Sequence, residues 1–119
     1  MPCLTPTACP TCPNRGLHAP LPADGPTPCR LLAISDYPGE TENRTGRVQT
    51  GKGGEELCQT YLPRARLSRR DLRLTNVFQC FDPRRKKATR AQVLACASHH
   101  IPREIEATRP EFVLLMGGN

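Results

Sequence analysis

Three short apolar runs divide the chain into alternating segments. Residues 31–34, 72–78 and 112–116 are rich in Leu, Val, Ile and Phe and predict three strands, of which the first is expected to be buried. Between them, residues 55–67 and 91–100 carry apolar side chains at helical spacing, and Pro102 can begin a further helix that ends at residue 108. A strand–helix–strand–helix–strand order is typical of parallel sheets with right-handed crossovers. The pattern therefore predicts an α/β domain with a parallel sheet.

The other segments are polar or rich in proline, and they predict loops. Residues 1–28 are Pro-rich and predict a loop-like N-terminal arm attached only through its Cys-x-x-Cys pair, with the α/β domain occupying residues 29–119. Residues 40–54 are polar and Gly-rich and predict one long loop, whereas residues 82–87 predict a basic loop. Pro63 is expected to distort or end its helix. Because the chain stops where a third strand should pass into a helix, we expect the domain to be C-terminally incomplete.

Composition restricts the partners and the compartment. The net charge of +6, from 17 Lys and Arg against 11 Asp and Glu, favours an anionic partner such as nucleic acid, although a solvated basic surface is an equal alternative. No run approaches the roughly 20 apolar residues of a membrane span, and the N-terminus lacks a signal-peptide layout. Seven cysteines without an export signal argue against a disulfide framework. We therefore expect an intracellular, cytoplasmic protein in a reducing compartment, without membrane contact.

Basic residues form two clusters, one at the end of the predicted helix at residues 55–67 and one after the second apolar run. Residues 64–73 contain five arginines, and residues 84–90 contain three arginines and two lysines. Basic side chains of this kind position a protein on phosphate without reading base sequence. A solvated face explains them equally well.

Four of the cysteines can meet at one point if the chain folds back on itself. Cys9 and Cys12 form a close pair, Cys80 follows the second apolar run, and Cys96 lies sixteen positions later in a predicted helix. Such a tetrad of thiolates holds either zinc or an iron–sulfur cluster. Four buried free thiols are a poorer explanation, because Cys9 and Cys12 lie in a Pro-rich arm without a core of its own.

Three sequence motifs carry a family resemblance. They are Pro38 to Arg47 after the first strand, Thr75 to Cys80 at the end of the second, and Arg109 to Gly118 around the third. Together with the four cysteines, they make the chain from about residue 9 to 119 resemble the family-four uracil-DNA glycosylases, the iron–sulfur branch of the uracil-DNA glycosylase superfamily. The resemblance implies a three-layer α/β/α fold with a central parallel sheet. It also implies hydrolysis of the N-glycosidic bond of a flipped uracil during DNA repair, in duplex or single-stranded DNA.

The resemblance also implies a role for individual residues. Cys9, Cys12, Cys80 and Cys96 match the cysteines that hold a [4Fe–4S] cluster in the family, with zinc as the competing occupant. Asp36 stands at the glutamate of the motif Gly-Glu-Ala-Pro-Gly, and Glu42 matches an acidic residue beyond it, which makes both candidate catalytic residues. Candidate substrate-binding residues are Tyr37, Pro38, Gly39, Gln49 and Asn76, of which Asn76 matches the asparagine that hydrogen-bonds uracil.

Each of these polar residues has an ordinary structural explanation when taken alone. Asp36 before a Tyr-Pro-Gly sequence is typical of turns, Asn76 of strand ends, and Glu42 of solvated loops. His99 and His100 are expected to be surface or helix-cap residues, and Cys29 and Cys58 to be buried thiols. The order of the candidate residues along the chain, rather than their identities, favours the functional interpretation.

Three departures from the family pattern favour other functions. Tyr37 replaces an alanine with a bulky phenol, Gln49 stands where an aromatic ring would stack on uracil, and the family's histidine-containing second half is absent. The leading expectation is a uracil-DNA glycosylase-like repair protein, which Asn76 and the four cysteines favour. The alternatives are a non-catalytic iron–sulfur nucleic-acid-binding module, which Gln49 and the missing histidine motif favour, and one half of a split glycosylase. The last alternative requires a missing C-terminal half or a partner protein.

Overall fold

The computed structural model of the protein describes residues 20–80 and 89–117. Cys9, Cys12 and the predicted basic loop at residues 82–87 lie outside the described residues.

A parallel sheet forms the centre of the fold. It contains three strands in the order β2-β1-β3, where β1 is Leu31–Ser35, β2 is Leu72–Asn76 and β3 is Phe112–Leu115. β1 pairs in parallel with both β2 and β3. The parallel α/β prediction is therefore confirmed, although β2 ends at Asn76, two residues earlier than the apolar run suggested.

Helices pack on both faces of β1 and β2, whereas the four residues of β3 are 40–75% exposed. The helices are α1 (Glu40–Thr45), α2 (Lys52–Glu56), α3 (Leu62–Arg64) and α4 (Arg90–Thr108), with a π-helical turn at Leu57–Tyr61 between α2 and α3 and a 3₁₀ turn at Arg69–Asp71. On one face the core comprises Leu21, Ala33, Val48, Leu57, Leu62, Leu72 and Leu74. On the other face, Leu32 and Ile34 pack with Cys29, Val77 and Ile101 of α4. This arrangement confirms the three-layer α/β/α architecture. No helix within the described ranges is long and apolar enough to cross a bilayer.

The long loop predicted for residues 40–54 is wrong, because α1 and the start of α2 lie within it. Helix α1 has Glu40 and Glu42 in its first turn, where carboxylates interact favourably with the helix dipole. It ends at Gly46, whose φ of 74° is the left-handed conformation that glycine adopts at helix C-termini. The segment lacks apolar periodicity, so its helicity depends on these end effects and on packing.

The helix predicted for residues 55–67 begins earlier and ends earlier, at Lys52 and Arg64. Its middle turn, Leu57–Tyr61, is π-helical and lies just before Pro63. A proline ring conflicts with the carbonyl four residues before it and supplies no N–H, so a widened turn at this place relieves the conflict. The expectation that Pro63 distorts or ends the helix is confirmed.

Two separate helices were predicted on either side of Pro102, and this prediction is wrong. The single helix α4 contains Pro102 in its interior. On both sides of the proline, the helix contacts β2 or the residue that directly follows it. His100 Nε2 lies 2.9 Å from the Val77 carbonyl oxygen, and Glu104 forms an ion pair of 2.7 Å with Arg73 of β2. These contacts compensate for the backbone hydrogen bond that a proline removes.

Residues 20–28 run beside β2 instead of standing apart from the domain. Leu21 is buried in the core, and its N–H donates to the Gln79 carbonyl oxygen at 2.8 Å. Asp24 forms an antiparallel bridge with Leu74. This part of the predicted arm is therefore attached through its own side chains and backbone, in addition to any attachment through the cysteines. The boundary between residues 28 and 29 stays a prediction.

Candidate functional site

The carboxyl end of the sheet brings together residues from all three strands. Ser35 and Asn76 are register partners at the ends of β1 and β2, so their side chains lie on the same face. Gly117, just beyond β3, lies against Asp36: a Cβ at position 117 would be 2.5 Å from both carboxylate oxygens. Ligands of open parallel sheets bind at this end, and Asp36 and Asn76 both lie there as predicted.

Two backbone hydrogen bonds hold the turn that follows β1 against the turn that follows β2. The Val77 N–H donates to the Ser35 carbonyl oxygen at 2.7 Å, and the Phe78 N–H donates to the Asp36 carbonyl oxygen at 3.0 Å. Asn76, which is only 3% exposed, immediately precedes these donors. The Asp36 and Asn76 backbones are thus part of one hydrogen-bonded unit.

The predicted lining residues of the Asp36 turn have different environments. Pro38 is fully buried, Gly39 is exposed, and the Tyr37 side chain is 51% exposed. The Tyr37 phenol therefore projects substantially into solvent.

Glu42 connects α1 to the start of α2. Its Oε1 accepts a hydrogen bond of 3.1 Å from the Gly51 N–H. Gly39 and Gly51 both leave room for the carboxylate, since a Cβ at these positions would lie 2.9 Å and 3.0 Å from its oxygens. Glu42 is therefore half-buried in a backbone cradle and is not a freely solvated loop residue.

Gln49 reaches the sheet from the segment between α1 and α2. Its backbone φ is 56°, in the left-handed region. Its side-chain amide donates a hydrogen bond to the Ser35 hydroxyl. Because Ser35 and Asn76 share a face, the two amides of Gln49 and Asn76 belong to the same side of the sheet. Gln49 therefore lies close to the carboxyl end of the sheet.

Sequence comparison identifies the family. The profile of the Uracil DNA glycosylase superfamily matches residues 22–119, which are most of the chain and include every described element of the site. The protein belongs to this superfamily. It is 30% identical over 97 residues to the Type-4 uracil-DNA glycosylase of Saccharolobus solfataricus, covering 82% of this chain and 44% of the relative. It is also 30% identical over 111 residues to the Type-4 uracil-DNA glycosylase of Thermotoga maritima, covering 93% of this chain and 56% of the relative. The chain spans about half the length of these relatives.

Two of the four cysteines assigned to a cluster lie in the described part of this superfamily domain. Cys80 follows the turn after β2, and Cys96 lies on α4; both are half-buried and neither is in a disulfide. The His100–Val77 contact joins the same two elements, one helical turn after Cys96 and three residues before Cys80. The elements that carry Cys80 and Cys96 are therefore in contact. Within residues 20–80 and 89–117 no group of three or more metal-ligating side chains occurs, so the four-cysteine site stays a prediction.

His100 was predicted to be a surface or cap residue of this superfamily domain, and this is wrong. It is 4% exposed, and burial lowers the pKa of its imidazole. The neutral ring can donate Nε2–H to the Val77 carbonyl oxygen at 2.9 Å. The signal was present in the sequence: His100 lies three residues after Ala97 and seven after Val93, which places all three on the helix face toward the sheet.

Proposed function

We propose that this chain is a uracil-DNA glycosylase-like repair protein that hydrolyses the N-glycosidic bond of a flipped uracil. The observation that carries the proposal is the hydrogen-bonded unit at the carboxyl end of the sheet, where Asp36 directly follows β1 and Asn76 is the last residue of the neighbouring β2. Membership of the superfamily supports it, as does similarity to relatives named Type-4 uracil-DNA glycosylase. DNA is the proposed substrate, and the basic residues at positions 84–90 would contact its phosphates.

Asn76 is proposed to read the base. Glycosylases extrude the target nucleotide and read its Watson–Crick edge in a pocket. A primary amide offers both a donor and an acceptor, which complements the imide edge of uracil. The buried position of Asn76 beside the backbone unit restricts its rotamers, and a restricted amide discriminates better between bases than a mobile one.

Asp36 is proposed as the principal catalytic carboxylate. Cleavage of the glycosidic bond develops positive charge on the sugar, which a carboxylate stabilises, and a carboxylate can also orient the attacking water. Glu42 is proposed as the second acid. Its bond to the Gly51 N–H supports a contribution through the shape of the segment that carries Gln49. Tyr37, Pro38, Gly39 and Gln49 are proposed to line the pocket.

A [4Fe–4S] cluster held by Cys9, Cys12, Cys80 and Cys96 is proposed as the cofactor, with zinc as the competing occupant. When bound, it would supply a covalent link between the arm, the turn after β2 and α4. Cys80→Ser and Cys96→Ser should each lower iron and sulfide from about four of each per chain after anaerobic purification. Cys58→Ser, at a half-buried thiol outside the tetrad, is the control. Zinc without iron would contradict the cluster assignment.

The proposed activity is tested with uracil-containing oligonucleotides, single-stranded and duplex, by cleavage of the abasic product in alkali. Asp36→Asn should lower the single-turnover rate by at least about 100-fold, and Asn76→Ala should lower it as well. Glu40→Gln, an exposed acid at the start of α1, should leave the rate unchanged.

Binding without cleavage would instead support a non-catalytic nucleic-acid-binding module. One observation favours this second function: the position of the family's stacking ring holds Gln49, whose amide is engaged with Ser35. Addition of a separately expressed C-terminal half tests the split-glycosylase alternative in the same assay.

A further inference from the structure

The backbone of Gln49 adopts a conformation that a residue with a side chain adopts only under constraint. Its φ of 56° lies in the left-handed region, which costs free energy for residues other than glycine. Such a conformation persists only where the surroundings hold it, and residues of this kind cluster at functional sites. The contacts around Gln49 therefore identify what holds it.

Arg69 holds the segment from one side. Its Nη1 donates to the Gln49 carbonyl oxygen at 2.9 Å, and its Nη2 donates to the Val48 carbonyl oxygen at 2.6 Å. Gly54 closes the other side, because a Cβ at position 54 would overlap the Gln49 carbonyl oxygen. The carbonyl of Gln49 is thus fixed between a guanidinium and a glycine.

Asp24 orients Arg69. Oδ2 of Asp24 accepts a hydrogen bond of 2.8 Å from Arg69 Nη2 and another of 2.7 Å from Arg47 Nη2. The Arg69 side chain is only 23% exposed. A guanidinium has several donors in one plane and can serve a carboxylate and two carbonyls at once, whereas a lysine ammonium is a compact point charge.

We propose that Arg69, oriented by Asp24, is a positioning residue that sets the Gln49 wall of the base pocket. This inference rests on the proposed function for the identity of the pocket. Arg69 fixes the Gln49 backbone, and the fixed backbone directs the amide to Ser35, the register partner of Asn76. The arginine is thus coupled to the face on which the base would be read, although it belongs to a 3₁₀ turn at the opposite end of β2.

The test compares Arg69→Lys with Arg70→Lys in the full chain. Arg70 is the adjacent residue of the same turn and is exposed, so the control has the same charge and the same substitution. The first readout is the ¹H–¹⁵N side-chain amide signal of Gln49, assigned by its loss in Gln49→Gly. We expect this signal to shift in Arg69→Lys and in Asp24→Asn, and to stay unchanged in Arg70→Lys.

The second readout is kcat/KM on a uracil-containing single-stranded oligonucleotide. We expect Arg69→Lys to lower it by about 10- to 100-fold, since misplacement of a pocket wall is costly, and Arg70→Lys to leave it unchanged. In a Gln49→Gly background, Arg69→Lys should have little further effect, because neither the strained conformation nor the amide is present. A purely structural arginine would cost the same in both backgrounds.

The two readouts separate the two proposals. A wild-type protein that leaves uracil intact contradicts the proposed function, while the Gln49 amide signal still decides the role of Arg69. An unchanged Gln49 signal in both Arg69→Lys and Asp24→Asn overturns the inference, as does an equal loss of kcat/KM with and without Gln49. Asp24→Asn keeps the test decisive if Arg69→Lys does not fold.

Discussion

Gly117 lies against the carboxylate of Asp36, so the backbone just beyond β3 packs directly on the candidate catalytic residue. A Cβ at position 117 would be 2.5 Å from both Asp36 carboxylate oxygens, and the φ of Gly117 is 113°. Both the space and the backbone conformation therefore require glycine. The segment just beyond β3 thus contributes to the site through the absence of a side chain at Gly117.

Gly117→Ala is expected to displace Asp36 and to destabilise the fold by about 1–3 kcal/mol. The rate of uracil release should fall with it. Gly46→Ala is the matched control, because Gly46 also has a positive φ, of 74°, but nothing lies within 4 Å of its Cβ position. It should cost about 1 kcal/mol and leave the rate unchanged. Urea unfolding and single-turnover assays measure the two effects, and equal losses of rate would contradict the assignment of Asp36.

Two neighbouring glycines in α2 are expected to respond in opposite directions to alanine. Gly54→Ala places a methyl group on the Gln49 backbone and should destabilise the protein by more than about 2 kcal/mol. Gly53→Ala meets nothing within 4 Å and should stabilise it by about 0.5–1 kcal/mol, because alanine has the higher helix propensity. Thermal melts of both variants decide this. A Gly54→Ala protein as stable as the wild type would show that Gln49 is not held from this side.

Asp24 should make the free energy of unfolding depend on pH in the acidic range. Burial raises the pKa of Asp24, but hydrogen bonds from Arg69 and Arg47 outweigh it and hold the pKa below its ordinary value of 3.8. The contribution of Asp24 to the free energy of unfolding is therefore fully present above the pKa that Asp24 has in the unfolded chain. It is lost as the pH falls through the lower pKa that Asp24 has in the folded protein. Asp24→Asn should cost roughly 0.5–1 kcal/mol at pH 7, since the carboxylate is partly solvated.

Urea unfolding of the wild type and of Asp24→Asn from pH 7 down to pH 2 measures this component. The difference in free energy of unfolding between the two proteins should stay constant down to about pH 5 and then shrink, because protonation of Asp24 removes its advantage over asparagine. A difference that is the same at every pH would contradict the ion-pair explanation.

His100→Ala is expected to destabilise the protein by about 1–3 kcal/mol, because it removes a buried ring and leaves the Val77 carbonyl oxygen without its donor. His99→Ala is the control, since its half-buried side chain occupies the adjacent position on the same helix. It should cost clearly less. Urea unfolding compares the two, and similar losses would contradict the assignment of the Val77 contact to His100.

The apolar segments of the sequence predicted the three strands and the end of the sheet at which the candidate site lies. Strands β1, β2 and β3 were predicted from short segments rich in apolar residues, of which the structure covers β1 and β2 and leaves β3 exposed at the sheet edge. Placement of Asp36 and Asn76 at one end of the sheet followed from chain direction, because the carboxyl ends of parallel strands share one edge. Helix α1 was missed because its stability comes from Gly46 and from end charges, which carry no apolar period.

The amino-acid sequence by itself determined the α/β class, the parallel sheet and the identity of the polar residues at its carboxyl end. Tertiary structure alone decided that α4 continues through Pro102, that His100 is buried, and that Arg69 pairs with Asp24, 45 positions away, while it donates to the Gln49 carbonyl oxygen. The physical reason is the range of the interactions. An apolar run favours burial whatever its partners are, so it can be recognised from a few neighbouring residues. A guanidinium that bridges a carboxylate and two carbonyls depends on where the folded chain places them.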